Sequence, residues 1–124
     1  MIRAGKLDKR VALLREGAAS DDGLAVVPGA LSRMGWRWAS FKPERGSEGF
    51  ENEGKQARGT ASVWLRSDAL TRSLLETDKL AIDGLVYELV APPLAIGRRE
   101  GVELFVRAEA GRAVDAAALP EWAA

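Results

Sequence analysis

Residues 79–90 read KLAIDGLVYELV, two apolar runs that are separated by the dipeptide Asp83-Gly84. Asp-Gly between apolar runs is typical of a two-residue hairpin loop, a type I′ turn whose central residues both take positive φ. The stretch therefore predicts a tight antiparallel β-hairpin. Glycine takes positive φ without a steric penalty, so Gly84 is expected to be essential for this turn.

Segments on both sides of the hairpin alternate between the two faces of an extended chain, with a period of two. Alternation over about five to eight residues between turn signals is typical of half-buried antiparallel strands. These segments therefore predict further strands on either side of the hairpin. They are residues 7–14, 36–43, 61–66 and 102–107.

A short helical turn is predicted at 68–75, because Asp68 is a good N-cap residue and Leu70 and Leu74 lie one turn apart. Taken together, the segments predict a mainly β protein, a small antiparallel β-barrel of about six strands with one short helix. Closing such a sheet into a barrel leaves no long strand edge exposed.

Two segments differ from the strands in composition. Residues 44–59 contain four Gly and four Glu, with Phe50 as the only large apolar residue, which predicts a long mobile loop. Residues 109–124 predict an Ala-rich C-terminal tail of weak helical tendency. The last strand is expected to end near Arg107, so the sequence predicts one barrel domain over 1–108, followed by the tail.

The composition restricts the chemistry open to this chain. It has 124 residues with no His and no Cys, which excludes a Ser-His-Asp triad, a Cys-His pair, a zinc–cysteine cluster and disulfides. Eighteen Lys+Arg balance eighteen Asp+Glu, so bulk charge does not favour nucleic-acid binding. No stretch approaches the roughly 20 apolar residues of a membrane-spanning helix. We therefore predict a non-enzymatic protein without cofactor, metal or membrane, synthesised in the cytoplasm.

One alternative function is the binding of single-stranded nucleic acid. Trp36, Trp38 and Trp64 lie among arginines such as Arg37 and Arg66, and small barrels bind single strands by combining aromatic faces with a cationic groove. Tryptophan on a barrel strand is nevertheless more often part of a core or an interface. A monomeric OB-like barrel that binds nucleic acid or acts as an adaptor module therefore stays open as the second interpretation.

Short motifs follow one another in a fixed order between residues 3 and 108. They are Gly5-Lys6-Leu7, RVAL at 10–13, WRWASFKP at 36–43, Gly46-Ser47-Glu48, VWLR at 63–66, DKLAIDG at 78–84 and YELV at 87–90. This ordered set resembles the head-tail joining (head closure or stopper) proteins of tailed bacteriophages and of phage-like gene transfer agents. An extended connection over 16–35 and the tail beyond 108 depart from the pattern. The motif residues expected to shape the barrel are Trp38, Ala39, Arg66, Asp83, Gly84 and Tyr87.

The resemblance implies a homo-oligomeric ring of six or twelve copies at the head–tail interface of a virion or phage-like particle. Portal and adaptor proteins would lie above this ring, and tail terminator or other tail proteins below it. The ring would retain packaged DNA, which would pass through its channel without sequence-specific recognition.

In such a ring the loop 44–59 is repeated once per subunit around the channel. Its glutamates would repel DNA phosphates if they face the channel, and Phe50 would insert into a neighbouring subunit. The loop residues expected at the channel or at the subunit boundary are Glu44, Arg45, Glu48, Phe50, Glu51, Glu53 and Lys55.

Overall fold

The computed structural model describes residues 7–18, 20–21, 23–24, 26–27, 29–43 and 60–122. Within these ranges most residues lie in β-strands, joined by a short α-helix (α1) and a 3-10 helix. The elements are β1 Lys9–Glu16, β2 Ser20–Asp21, β3 Val26–Val27, β4 Leu31–Pro43, β5 Thr60–Arg66, α1 Ala69–Arg72, β6 Lys79–Ile82, β7 Leu85–Leu89, β8 Leu94–Ile96, β9 Gly101–Ala113 and the 3-10 helix Ala116–Ala118.

Six of the strands form a closed antiparallel barrel in the order β5-β4-β1-β6-β7-β9. Pairing of β5 with β9, from Thr60 opposite Arg107 to Arg66 opposite Gly101, joins the two ends of the sheet. The short β8 pairs with the beginning of β9, and β2 and β3 form a separate small hairpin. The predicted mainly β barrel of six strands with one short helix is confirmed.

Every second residue of the barrel strands faces the interior, because successive side chains of a strand point to opposite faces. The interior core is built from aliphatic side chains of all six strands, and the ring of Phe41 packs edge-on against Tyr87 with 5.7 Å between ring centroids. The fully or almost fully buried members include Val11, Leu13, Ala39, Ala61, Val63, Leu65, Leu80, Ile82, Leu104 and Val106.

Helix α1 closes one end of the barrel. Asp68 is its N-cap, as predicted: the Thr71 amide donates to Asp68 Oδ1 at 2.8 Å, and the Asp68 amide donates to Thr71 Oγ1 at 2.8 Å. This reciprocal capping box satisfies amide groups that a helix of this length cannot pair internally. Leu74 is buried in the interior core, and a Cβ at Gly35 would lie 2.7 Å from Leu70 Cδ2.

The hairpin predicted from residues 79–90 is present. Asp83 has a φ of 52° and Gly84 a φ of 82°, the two positive values of a type I′ turn. The Asp83 carboxylate accepts a hydrogen bond from Lys9 Nζ at 2.9 Å, and the Gly84 carbonyl accepts one from the Val114 amide at 2.9 Å. The turn therefore holds the start of β1 and the end of β9.

Replacing Gly84 by Val is expected to lower the free energy of unfolding by about 1–2 kcal/mol. A Cβ at this position would be 3.9 Å from the nearest atom, the Val114 carbonyl oxygen, so the cost is conformational and not steric. Thermal unfolding measures this cost directly. The Gly84→Asn variant is the matched control and should lose less, because Asn tolerates positive φ. An unchanged melting temperature for Gly84→Val would contradict the turn assignment.

Three features of the strands differ from the sequence-based expectation. The last strand does not end near Arg107 but continues to Ala113, where it pairs with Leu85 across a register shift. The connection predicted over 16–35 contains the small β2–β3 hairpin, and β4 already begins at Leu31. Strand β8 was not expected. The extension of β9 arises from pairing with β7, whereas β2, β3 and β8 have only two or three residues each, too few for an alternating pattern to reveal.

Residues 114–122, here called the strap, lie across the outside of the barrel. Under the strap is a second apolar cluster, in which Ala116 is buried and Val114 and Leu119 are partly buried. The barrel residues that the strap covers have relative exposures between 0% and 8%, so they are as well buried as the interior. They are Ala12, Leu14, Leu31, Ala81 and Val86, with Trp36 at the margin.

Candidate assembly surfaces

The loop residues that the sequence singles out lie outside the described residues. These are Glu44, Arg45, Glu48, Phe50, Glu51, Glu53 and Lys55. The structure does describe the two points to which the loop is attached. Pro43 ends β4, Thr60 begins β5, and Pro43 is opposite Ala61 in the ladder. Residues 44–59 therefore connect two adjacent strands at the barrel end opposite α1.

The predicted motif residues are dispersed and do not form one site. Ala39 is completely buried and Tyr87 is nearly so, both in the interior core. Burial, assisted by the negative charge of Asp83, raises the pKa of the Tyr87 phenol. Trp38 and Arg66 are exposed on the outside of the barrel, and Gly84 is in the turn. The motif is thus mostly a barrel-forming pattern, of which Trp38, Arg66 and the two turn residues Asp83 and Gly84 are exposed.

The outer face that the strap leaves uncovered is partly apolar. Trp38 on β4 is 58% exposed. At the other edge of this face, Leu94 on β8 is 49% exposed and Val90, which follows β7, is 45% exposed. The ladders connect these positions, because Ser40 is opposite Trp64, Trp64 is opposite Glu103, and Glu103 is opposite Leu94. This outer face runs across β4, β5, β9 and β8.

The centre of the outer face is formed by one close contact. The Trp64 ring lies directly on Gly101, so that any Cβ at position 101 would overlap it. Trp64 is therefore only 8% exposed although it belongs to neither apolar cluster. The Trp64 ring thus occupies the space that a side chain at position 101 would need, and the absence of a Cβ at Gly101 allows this close contact.

The barrel side that carries β6, β7 and the end of β9 is held by charge networks. Lys79 Nζ is 2.6 Å from Glu109 Oε2, and Arg112 Nη1 is 2.8 Å from Glu109 Oε1. Burial raises the pKa of Glu109, but the hydrogen bonds from these two cations outweigh it, and the net pKa is lowered. Arg107 pairs with Glu88 at 3.0 Å on the same side. These charges satisfy one another and leave little for a ligand.

A surface cavity of about 370 Å³ lies near the α1 end of the barrel. Its charged wall is an ion pair: Arg15 Nε and Nη2 donate to the two carboxylate oxygens of Asp78 at 2.8 and 2.7 Å. Glu16 also lines the cavity and lies 3.6 Å from Arg112, so each charged group of the lining already has a partner. No group of acidic side chains within the described ranges is arranged to hold a metal ion. Nor does any helix there combine the length and apolar character that crossing a membrane requires.

Sequence reasoning missed the residues that fasten the strap. The Arg33 guanidinium donates to the carbonyls of Ala116 and Leu119 at 2.7 and 3.1 Å. The Arg33 backbone pairs with the strap as well, since its amide donates to Pro120 and its carbonyl accepts from Trp122. The Trp122 ring in turn lies 5.5 Å from the Arg15 guanidinium carbon. No local pattern in the sequence links position 33 to residues more than eighty positions away.

Comparisons with known proteins agree with this architecture. A family model described as phage head completion protein matches residues 2–109. Among solved structures, the chain is similar to protein SF1141 from Shigella flexneri 2a, whose solution structure aligns with a TM-score of 0.63 and 20% identity. That alignment covers 90% of this chain and 100% of that chain, and at this identity it shows the fold alone. No curated protein matches the chain. The family model covers five of the six barrel strands completely and β9 as far as residue 109. Because the match spans most of the chain, this protein belongs to the phage head completion protein family.

Proposed function

We propose that this protein closes the phage head by forming a ring between the portal–adaptor complex and the tail. The match of the phage head completion family over residues 2–109 carries the proposal. A protein of this family is a structural component of the phage head, and a small closed barrel without a reactive cluster in its described part suits that role. Portal or adaptor proteins on one side and tail proteins on the other are its partners in this proposal.

The ring itself is supported by the unequal sides of the barrel. A cyclic ring of more than two copies uses two different surfaces of each subunit, because the contacts are heterologous. One outer side is covered by the strap, whereas the opposite outer face exposes Trp38, Leu94 and Val90. The uncovered outer face is the side we assign to contact with another protein. Six or twelve copies remain the stoichiometries that we propose.

Residues 44–59 carry the part of the proposal that concerns DNA. They connect two neighbouring strands at one barrel end, so a ring repeats their four glutamates once per subunit at one level of the channel. Glutamates at the channel surface would repel DNA phosphates and favour passage over binding, while opposite charges such as Glu51 and Lys55 would pair between neighbouring copies. Phe50 is proposed to insert into the adjacent subunit.

A second candidate function, a monomeric barrel that binds single-stranded nucleic acid, is favoured by one observation. Ala39 of β4 is opposite Leu65 of β5, so the next residues on the two strands, Trp38 and Arg66, are neighbours, and both are exposed. An aromatic face beside an arginine is the combination that such barrels use. Retention of an oligonucleotide at moderate salt, together with failure to assemble on head components, would favour this function over the ring.

Electron microscopy of the protein mixed with its own portal–adaptor complex tests the proposal. We expect a ring below the adaptor and mainly monomeric protein in the absence of that complex. Replacing residues 46–56 by a short Gly-Ser link should leave the melting temperature of the barrel nearly unchanged, since the link would join two strands that are already paired. Heads assembled with this variant should leak DNA or fail to accept tails. Normal yields of infectious or transfer-competent particles would contradict the role of the loop.

A further inference from the structure

Two segments of the chain meet at the α1 end of the barrel and bring four arginines together. The Ser67 amide donates to the Glu100 carbonyl at 3.4 Å, which joins the β5–α1 connection to the β8–β9 turn, and Arg66 is opposite Gly101 in the ladder. All four arginine side chains on these segments are exposed. We call this group the arginine corner; it consists of Arg66, Arg72, Arg98 and Arg99.

The arginine corner forms no ion pair within the described part of the chain. None of its four guanidinium groups has a described carboxylate oxygen within 4 Å, whereas Arg15, Arg37 and Arg112 each have at least one. One carboxylate, that of Glu100, lies on the same turn and is directed towards Gly97, so the corner keeps a net positive charge. The nearest helix carboxylate, Asp68, is engaged by Arg37 Nε at 2.8 Å and by the Thr71 amide. Burial raises the pKa of Asp68, but these hydrogen bonds outweigh it and lower the net pKa. The Asp68 carboxylate therefore stays charged, and its two oxygens accept from Arg37 and from the Thr71 amide and not from the arginine corner.

The backbone of the β8–β9 turn gives an independent reason to assign a role to the corner. Arg99 has a φ of 59°, a conformation in which a glycine or an asparagine is more stable than an arginine. Gly97, two residues earlier, takes a φ of 62° and is the residue type that such a turn favours. The arginine at 99 therefore costs conformational energy, and no ion pair in the described chain offsets it. Sparsely populated backbone conformations of this kind cluster at ligand-binding sites, which supports an external partner for Arg99.

We propose that the arginine corner binds the phosphate backbone of double-stranded DNA. The inference rests on the proposed function, in which DNA passes along a ring of these subunits, and it names a contact that the loop 44–59 does not provide. Guanidinium groups bind phosphate oxygens in a bidentate manner, and backbone contacts of this kind need no base sequence. The corner lies at the barrel end opposite the loop, so each subunit would hold DNA at one end and repel it at the other.

The duplex fits the corner better than a single strand does. Single-strand sites stack successive bases on several aromatic faces. Here Trp38 is the exposed tryptophan nearest Arg66, while Trp64 is covered and Trp36 lies under the guanidinium of Arg10 at 4.4 Å. One exposed tryptophan ring and four exposed arginines provide charge without a series of stacking surfaces. The corner therefore suits the regular phosphates of a duplex.

Fluorescence anisotropy with a labelled 30-base-pair duplex tests the inference, using the full chain at a series of salt concentrations. Four phosphate contacts predict a slope of log K against log[salt] of about −3.6. The quadruple variant R66Q/R72Q/R98Q/R99Q should bind at least about tenfold more weakly in low salt and show a much smaller slope. The double variant R98Q/R99Q should reduce the slope to about −1.8. Its matched control K42Q/R107Q removes two exposed cations elsewhere on the barrel and should keep the slope of about −3.6.

The variant Arg99→Gly separates a role in binding from a role in folding. It should raise the melting temperature by about 3 °C, because it relieves the positive φ, and lower duplex affinity at the same time. Equal binding by the wild type and the quadruple variant, or no duplex binding at low salt, would overturn the inference. Tighter binding of a single strand with quenching of tryptophan fluorescence would overturn it in favour of a single-strand site. Normal rings of the quadruple variant on portal–adaptor complexes would leave the proposed function standing, so the two failures are distinguishable.

Discussion

Replacing Asp78 by Ala should lower the free energy of unfolding by about 3 kcal/mol, a decrease in melting temperature on the order of 10 °C. The Asp78 side chain is 1% exposed and accepts three hydrogen bonds, two from Arg15 and one from the Leu75 amide at 2.8 Å. Its removal leaves the Leu75 amide unpaired and Arg15 without its counter-ion. The Arg15 side chain is 22% exposed and can regain some solvation, which places the loss at the low end for a buried ion pair.

The effect of Asp78 is measured against an exposed ion pair on the same barrel. Glu88 and Arg107 are 3.0 Å apart, but their side chains are 37% and 49% exposed, so Glu88→Ala should cost less than about 1 kcal/mol. The double variant Arg15→Met/Asp78→Leu should be more stable than Asp78→Ala, because an apolar pair leaves no buried charge. If Asp78→Ala unfolds at the same denaturant concentration as the wild type, the ion pair does not stabilise the fold.

Ending the chain at Ala113, which removes the strap, should destabilise the barrel by about 3 kcal/mol. The deletion exposes Leu14 and Val86, which are fully buried, and parts of Ala12, Ala81 and Leu31. Burying a side chain of the size of Leu or Val contributes about 1.5–3 kcal/mol, and deletion of the strap returns part of both side chains to water. The exposed apolar surface should also make the truncated protein prone to association.

Chemical denaturation and light scattering measure the two consequences of the deletion. Arg33→Ala should reproduce part of the instability in the full chain, because it removes the donor to the Ala116 and Leu119 carbonyls. Glu121→Ala is the matched control: its side chain is 85% exposed and its oxygen is 3.9 Å from Arg33, so no measurable change is expected. A truncated protein as stable and monomeric as the full chain would show that the strap does not stabilise the barrel.

The strap also changes the boundary of the folded unit. The family model ends at residue 109, whereas β9 continues to Ala113 and the next residues bury an apolar side of the barrel. Residues 110–122, which lie past the family match, are thus part of the fold. This arrangement leaves the opposite outer face, with Trp38, available for partners.

Local sequence patterns were sufficient for the elements that depend on neighbouring residues. The Asp83-Gly84 turn requires two positive φ values, and the helix at Asp68 requires an oxygen that caps its first turn; both requirements are met within a few residues. Alternation with a period of two likewise predicted β5 and the first part of β9, because successive side chains of a strand point to opposite faces. The barrel followed from these strands, since closure removes the exposed edges.

Only the tertiary structure decided which outer surfaces are buried and which charges are paired. The strap covers Leu14 and is fastened by Arg33, and Asp78 pairs with Arg15 across sixty-three positions of sequence. Such contacts depend on the order in which strands close into the barrel, and a residue's own neighbours in sequence carry no information about it. The arginines at 66 and 99 are likewise ordinary surface charges in the sequence. Their proximity arises because closure of the barrel places the end of β5 beside the turn that leads into β9.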